Sequence, residues 1–299
     1  MFSRANQLPQ IRFDNPRLSR VGVELMTLRE LRRKVAVAEL ASPQRIEFFL
    51  LLLVEEGDGT HLVDFVEHRL RAGDVLLIKP GQVLQWRQGA DFQGLMVLLT
   101  PDAFGPSVGL HLAGMRVLGL DDWPAKGAPD DHLFKQSLVD LLRVRADLEA
   151  FDDSERMSLI VRHALITVML RLGHELAKLH PVQAASKEAS IHRLFVEQLN
   201  SGLTHRMTVL GHAKRLGYSE STLSRACVQV VGLTAKQVID RRVLLEAKRL
   251  LAHSEMPVAH IGHQLGFSEP TNFVKFFRRL GGETPQSFRL GTGQMGSLL

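Results

Sequence analysis

The residues whose types and spacing could do chemistry gather in the last third of the chain. Thr271, Asn272, Lys275, Arg278 and Arg279 share one side of an amphipathic stretch whose other side carries Phe273, Phe276, Phe277 and Leu280. Hydroxyls, an amide and cations on one helical side suit base edges and phosphate oxygens rather than bond-breaking chemistry. Ser221, Thr222 and Arg225 repeat the arrangement opposite Leu223, Ala226, Cys227 and Val230. We assign base reading to Ser221, Thr222, Arg225, Thr271, Asn272 and Lys275, because Asn suits adenine and Arg or Lys suits guanine. Phosphate contacts go to Ser219, Ser268, Arg278 and Arg279, and for Arg225 and Lys275 the phosphate role fits nearly as well. Catalytic patterns are missing: there is no Gly-rich phosphate loop, no C-x-x-C pair and no recognisable Ser/His/Asp spacing. His260 and His263 are spaced i, i+3 but have no further ligand near them, so they read as solvated or phosphate-facing. The expectation is no enzyme, no metal and no cofactor.

Stepping outward, helices must hold these side chains. Val243, Leu244, Ala247, Leu250 and Leu251 mark one helical face, Pro257 opens a short helix, and Gly266 closes it. Ser268 is placed to cap the next helix, with Glu269 and Pro270 in its first turn. A short helix, a glycine turn and a second amphipathic helix make a helix-turn-helix. Gly-Tyr-Ser at 217–219 recurs as Gly-Phe-Ser at 266–268, so the chain holds two such motifs, about 208–231 and about 257–280. Two recognition helices joined by a linker helix (237–251) can read successive major grooves.

Charge agrees. Residues 190–299 hold 14 Lys and Arg against 7 Asp and Glu, and the remainder holds 23 against 25. That is the footprint of a polyanion-binding domain joined to a neutral one. The length of 299 residues fits about two domains, and Cys227 alone excludes an intrachain disulfide. No apolar run is long enough to span a bilayer, and a reducing, cytoplasmic setting with no membrane partner is expected.

The first half reads as short strands. Residues 47–54 form an apolar run closed by a turn signal at 55–59, residues 61–67 alternate, and further strands fall at 75–78 and 93–99. Short strands with glycine turns suggest a barrel or sandwich. Residues 105–129 read as loop. Phe134, Leu138, Leu141 and Leu142 begin a helical region, and Ser154 can cap a helix with a wide stripe of Leu159, Ile160, Ala164, Leu165, Val168, Met169 and Leu172. That stripe fits self-association into a homodimer and fits packing against the chain's own barrel equally. Residues 178–189 are small and polar, as a linker would be.

The C-terminal residues Ala247, Leu250, Leu251, Ile261, Gly266, Phe267, Phe273, Phe277, Gly282, Thr284, Pro285, Phe288 and Arg289 resemble the DNA-binding domain of AraC/XylS-type transcription regulators. Gly262 stands where that family usually has alanine, and Cys227 where it has an aromatic. Arg45-Ile-Glu-Phe-Phe, the Gly-rich 55–59 segment and the string from Leu70 to Trp86 resemble the same family's cupin-type N-terminal domain. The resemblance implies an α+β chain: a cupin-like β-barrel with accessory helices (1–130), a helical dimerisation or packing segment (131–180), a linker (181–190), and an all-α domain with two helix-turn-helix motifs (191–290). It implies double-stranded DNA and RNA polymerase as partners. It also implies an activator with a small-molecule effector in the barrel, for which Arg45, Glu47, Phe49, His61, Gln85 and Trp86 are the pocket candidates. The histidines of metal-binding cupins are missing from their places, which argues against a metal. Two alternatives stay open: a regulator whose barrel only dimerises, and a cupin enzyme with a DNA-binding appendage.

Overall fold

The structure, a computed structural model, describes residues 10–87, 91–101, 103, 123–179, 186–201 and 207–297. Two compact units divide them, Pro9–Pro181 and Val182–Leu299.

The first unit is rich in sheet. Its strands are β1 (Gln10–Ile11), β2 (Val23–Thr27), β3 (Gln44–Ile46), β4 (Phe49–Val63), β5 (Val66–Arg71), β6 (Val75–Ile78), β7 (Val83–Trp86), β8 (Asp91–Leu99) and β9 (Lys126–Gly127). Its helices are α1 (Leu28–Lys34), α2 (Val37–Leu40), α3 (Asp131–Glu149) and α4 (Glu155–Leu179). Strand β4 is the spine. Its first half pairs with β6 and β8, so that Leu51 lies opposite Leu77 and Val97. Its second half pairs with β5 and β7, so that His61 lies opposite His68 and Trp86. Both faces of the first half are buried. Phe49, Leu51 and Leu53 pack with Leu141, Val144, Leu165, Val168 and Leu172 of α3 and α4. Leu50, Leu52 and Val54 pack with Leu76, Ile78, Leu84, Phe92 and Met96 on the other side. A strand covered on both faces needs no polar alternation, which explains the continuous apolar run.

Two expectations are corrected here. The turn placed at 55–59 is a β-bulge between Val54 and Glu56, after which Asp58 still pairs with Arg71 and Asp91. Gly57, at φ +77°, takes the left-handed conformation next to that bulge. The real turn interrupts the supposed strand at 61–67: Asp64 and Phe65 have φ of 48° and 69°, as a two-residue hairpin needs. Asp64 is held there by accepting hydrogen bonds from Gln82 Nε2 at 2.9 Å and from Val83 N at 3.1 Å. Among the described residues the sheet of the sheet-rich unit is not closed into a complete barrel. The path β1-β3-β7-β4-β6-β9 leaves β1 and β9 at its ends, with β2 outside β8.

Ser154 does cap α4, accepting from Met157 N at 3.2 Å. The expected stripes hold at Phe134, Leu141, Leu165, Val168, Met169 and Leu172, all buried, but not at every member. Leu142 and Ile160 are exposed, while Val144, Leu148, Val161 and Leu176 are buried. The expected loop at 105–129 mostly lies outside the described residues, as do 181–185 of the linker. Residues 187–190 of that linker are helical, starting α5.

The second unit is helical: α5 (Lys187–Ser201), α6 (Val209–Arg215), α7 (Glu220–Val231), α8 (Ala235–His253), α9 (Val258–Gln264), α10 (Pro270–Gly281) and α11 (Pro285–Ser297). Helices α6-α7-α8 and α9-α10-α11 are two copies of one design. Each turn is closed in the same way: Tyr218 N donates to Ala213 O, and Phe267 N donates to Gly262 O, both at 2.9 Å. Gly217 and Gly266 supply the positive φ that this reversal needs, at 75° and 93°. Gly232 and Gly282 end α7 and α10 in the left-handed region. Thr234 and Thr284 then cap α8 and α11 by accepting from Gln237 N and Ser287 N.

Aligned this way, Gly262 matches Ala213 and Phe273 matches Leu223. A Cβ on Gly262 would sit 3.0 Å from Phe273 Cβ. The unusual glycine is therefore the complement of a large neighbour: Ala with Leu in one copy, Gly with Phe in the other. Cys227, which matches Phe277, is fully buried. Helix α5 packs on α7 and brings Phe195, which meets His212 edge-on at 5.3 Å. An aromatic from outside the repeat thus reaches the core of the first copy.

Gly262→Ala should destabilise the second unit by about 1 kcal/mol, with overpacking exceeding the helix-propensity gain. Gly262→Ala combined with Phe273→Leu should recover that loss in denaturant melts, and a stabilised single variant would contradict the pairing.

Candidate nucleic-acid interface

The outward side of α10 carries the expected chemistry. Thr271, Asn272, Lys275, Arg278 and Arg279 are all exposed, opposite buried Phe273, Phe276 and Phe277. The aromatic wedge that fixes the helix is continuous, with Phe267 5.3 Å from Phe273 and 5.0 Å from Phe276, and Phe277 5.7 Å from Phe288. Leu280, expected to be buried with them, is 39% exposed, because it lies a full turn beyond the wedge at the helix end. Gly266, Phe267, Ser268, Asn272, Lys275, Phe276 and Arg279 line a concavity of about 370 Å³ beside the turn. Asn272, Lys275 and Arg279 thus share one wall, and Arg278 does not line it.

On α7, Ser221 and Arg225 are exposed and Thr222 is half-buried. Ser219 is the N-cap of this helix, its Oγ accepting from Thr222 N at 3.1 Å. The same Oγ lies 3.0 Å from Ser221 Oγ and 2.8 Å from Thr222 Oγ1, so three candidate hydroxyls form one cluster at the helix start. The capping role expected for Ser268 is not found. The second turn is one residue longer than the first, which puts Glu269 at the N-cap with no side-chain cap bond and Pro270 at the first helical position. Ser268 is left exposed outside the helix. The copies also differ at their far ends, where α7 carries Val228 and Gln229 in place of Arg278 and Arg279. Sequence reading overlooked Asp240, a buried carboxylate on α8 within ion-pair range of Lys236 and Arg279. The i, i+4 spacing of Lys236 and Asp240 was the only available signal of it.

The six pocket candidates of the first unit are not brought together. Glu47 is exposed and pairs with Arg12 at 3.0 Å. Phe49 belongs to the helix-facing cluster, and Trp86 to the opposite one. Gln85 turns away from Trp86 along β7 and donates to Ala41 O at 2.7 Å. Arg45 is half-buried near the Gly81 turn. Only His61 and Trp86 meet, edge-on at 4.4 Å, with Phe92 stacked on Trp86 at 5.8 Å. His61 is fully buried, and neither ring nitrogen has a hydrogen-bond partner among the described residues. Burial, and then the neighbouring His68, push its pKa down to about 3, so the ring is neutral. No group of three or more His, Cys, Asp or Glu that could hold a metal is found among the described residues.

Comparison with known proteins gives the same two-part division. Residues 38–160 match a family model described as an AraC-like ligand binding domain, and residues 212–291 match one described as a helix-turn-helix domain. Together the two matches span more than half of the chain.

The chain belongs to the AraC family of transcription regulators. Its curated relatives include the HTH-type transcriptional activator RhaS of Escherichia fergusonii, 25% identical over 248 residues, covering 82% of this chain and 86% of that protein. RhaS of Citrobacter koseri is 24% identical over 247 residues with the same coverage, 82% and 86%. Among solved structures, ToxT from Vibrio cholerae O395 aligns with a TM-score of 0.41 at 12% identity, covering 82% of this regulator and 90% of ToxT. An AraC-type regulator from Chromobacterium violaceum aligns with a TM-score of 0.33 at 22% identity, covering 35% of this regulator and 94% of that chain. The regulator is thus a DNA-binding protein with a ligand-binding type of N-terminal domain, and relatives of this kind are regulators rather than enzymes.

The unequal turns separate two serines that look alike in sequence. Ser219→Ala should destabilise the second unit by about 1 kcal/mol through loss of the cap. Ser268→Ala should leave its melting unchanged, so any loss of DNA affinity in that variant reports a direct contact. Equal melting shifts for both would contradict the asymmetry.

Proposed function

We propose that the regulator binds a specific operator by placing α7 and α10 in successive major grooves and acts there as an activator responsive to a small-molecule effector. The observation that carries the DNA part is the exposed Asn272–Lys275–Arg279 wall on a helix pinned from behind by phenylalanines. Ser221, Thr222, Arg225, Thr271, Asn272 and Lys275 read bases in this account. Ser219, Ser268, Arg278 and Arg279 touch phosphates. Activation and contact with RNA polymerase follow from the activators among its relatives, and the cytoplasm is where its DNA is met.

The effector part rests on His61. A buried neutral imidazole with no partner among the described residues is unfavourable by about 1–3 kcal/mol, and its persistence is what a ligand-completed site would require. An effector completing this site would need an apolar body for Trp86 and one hydrogen-bonding group for His61. A second reading, in which the first unit serves self-association only, has its own support in Val139 and Leu142. These lie one turn apart on α3 and are each 51% exposed.

Two measurements test the proposal. The full chain and residues 182–299 alone should both bind DNA from the regulator's upstream region sequence-specifically, with affinity falling steeply as salt rises. Binding that ignores sequence would leave a general nucleoid protein as the better account. His61→Leu should stabilise the first unit and abolish any effector response. Because the folded His61 resists protonation down to about pH 3 while an unfolded histidine titrates near 6.5, its titration costs no stability above pH 6.5 and lowers stability progressively below it. The leucine variant should lose less stability between pH 6.5 and 5, and identical acid profiles would contradict the burial argument.

A further inference from the structure

Arg278 and Arg279 are adjacent and both exposed, yet their surroundings differ. Arg279 lines the concavity beside the turn, and its Nη2 lies 3.7 Å from Asp240 Oδ2. Arg278 makes no ion pair among the described residues. The Asp240 side chain is only 9% exposed, and its other oxygen accepts from Lys236 Nζ at 2.6 Å. One buried carboxylate on the helix joining the two motifs therefore faces two cations, one on its own helix and one on the second recognition helix. At 3.7 Å the contact with Arg279 is too long for a hydrogen bond, and the Arg279 side chain stays 66% exposed. The guanidinium is steered but free to engage something else. The first motif has no counterpart of this arrangement, since Gln229 occupies the place of Arg279.

We propose that Asp240 is a specificity-determining residue that touches no DNA: by steering Arg279 and partly neutralising it, Asp240 confines the Arg279 phosphate contact to the correctly seated complex. Phosphate contacts ordinarily add affinity on every sequence, because all sequences present the same backbone charge. A carboxylate beside the cation subtracts from that affinity on arbitrary DNA. It also fixes the side of the guanidinium left open, so full contact is made only when α10 lies at the depth and angle set by its base contacts. Asp240 and Lys236 sit on the helix shared by both motifs, so the orientation of Arg279 is referred to the frame that also carries the first reading helix. The inference rests on the assignment of α10 as a reading helix.

The test uses the full chain, a specific site selected from its upstream region, and arbitrary duplex of the same length, each titrated across a salt series. Arg279→Gln should lower affinity for the specific site and leave arbitrary DNA nearly unchanged, whereas an ordinary phosphate clamp would weaken both alike. Asp240→Asn, which keeps the side-chain shape, should tighten binding to arbitrary DNA, steepen its salt slope by about one, and lower the specific-to-arbitrary ratio several-fold. The double variant should show the ratio of Arg279→Gln alone. Equal weakening of both DNAs by Arg279→Gln would overturn the proposal. So would an Asp240→Asn effect that persists when Arg279 is already gone. Lys275→Ala reports separately on the reading helix itself: if it leaves specific binding intact, the assignment of α10 fails and takes the inference with it.

Discussion

Everything in the DNA-binding unit depends on the buried stripe of α8. Ile239, Val243, Ala247 and Leu251 recur every four residues and are all essentially inaccessible to solvent. Helix α8 contacts α7 on one side and α9, α10 and α11 on the other, so it is both the last helix of the first copy and the support of the second. Two reading helices can discriminate a two-part site only if their separation is fixed, and a helix buried along its length by both motifs fixes it. Arg289 reinforces the junction, donating to Leu251 O at 3.2 Å and Met256 O at 2.7 Å, where the C-terminal end of α8 would otherwise leave carbonyls unmet. Lys248 over the Phe288 ring at 5.5 Å ties α11 to the same helix.

Much of this architecture was legible in the sequence because its signals are local. Gly217 and Gly266 occupy positions that need a positive φ, and the apolar spacing around them is helical. What escaped was set through space or by a change in spacing. The one extra residue between Gly266 and Phe273 shifts the cap from Ser268 to Glu269, which a search for Gly-aromatic-Ser treats as identical repeats. In sequence Gly262 is only a departure from the family's usual alanine; in the fold Phe273 occupies the space an alanine Cβ would need. Asp240 is tied to Arg279 only through space, across two helices that the sequence does not place side by side.

The N-terminal unit shows the same limit more sharply. A two-faced strand gives no alternation, so nothing in residues 49–54 says which side chains face α3 and α4 and which face the opposite cluster. The pocket candidates scatter accordingly: Phe49 faces the helices, Trp86 lies in the opposite cluster, and Glu47 points to solvent. The Glu-Glu-Gly-Asp-Gly segment has turn chemistry but serves a bulge, because pairing with β5 and β8 continues across it. The physically distinctive residue is one that sequence reading could only name among others: His61, neutral, fully buried and without a hydrogen-bond partner among the described residues. Polar atoms kept in that condition are uncommon in folded proteins, where most find a partner or a water.

The most direct test of the central claim is a hydroxyl-radical footprint of the full-length regulator on its own upstream DNA. Two rigidly joined reading helices predict two protected patches about one helical turn apart on one face of the duplex, both erased by competing specific DNA but not by arbitrary DNA. A single patch would contradict reading by both helices, and uniform protection would contradict sequence-specific recognition altogether.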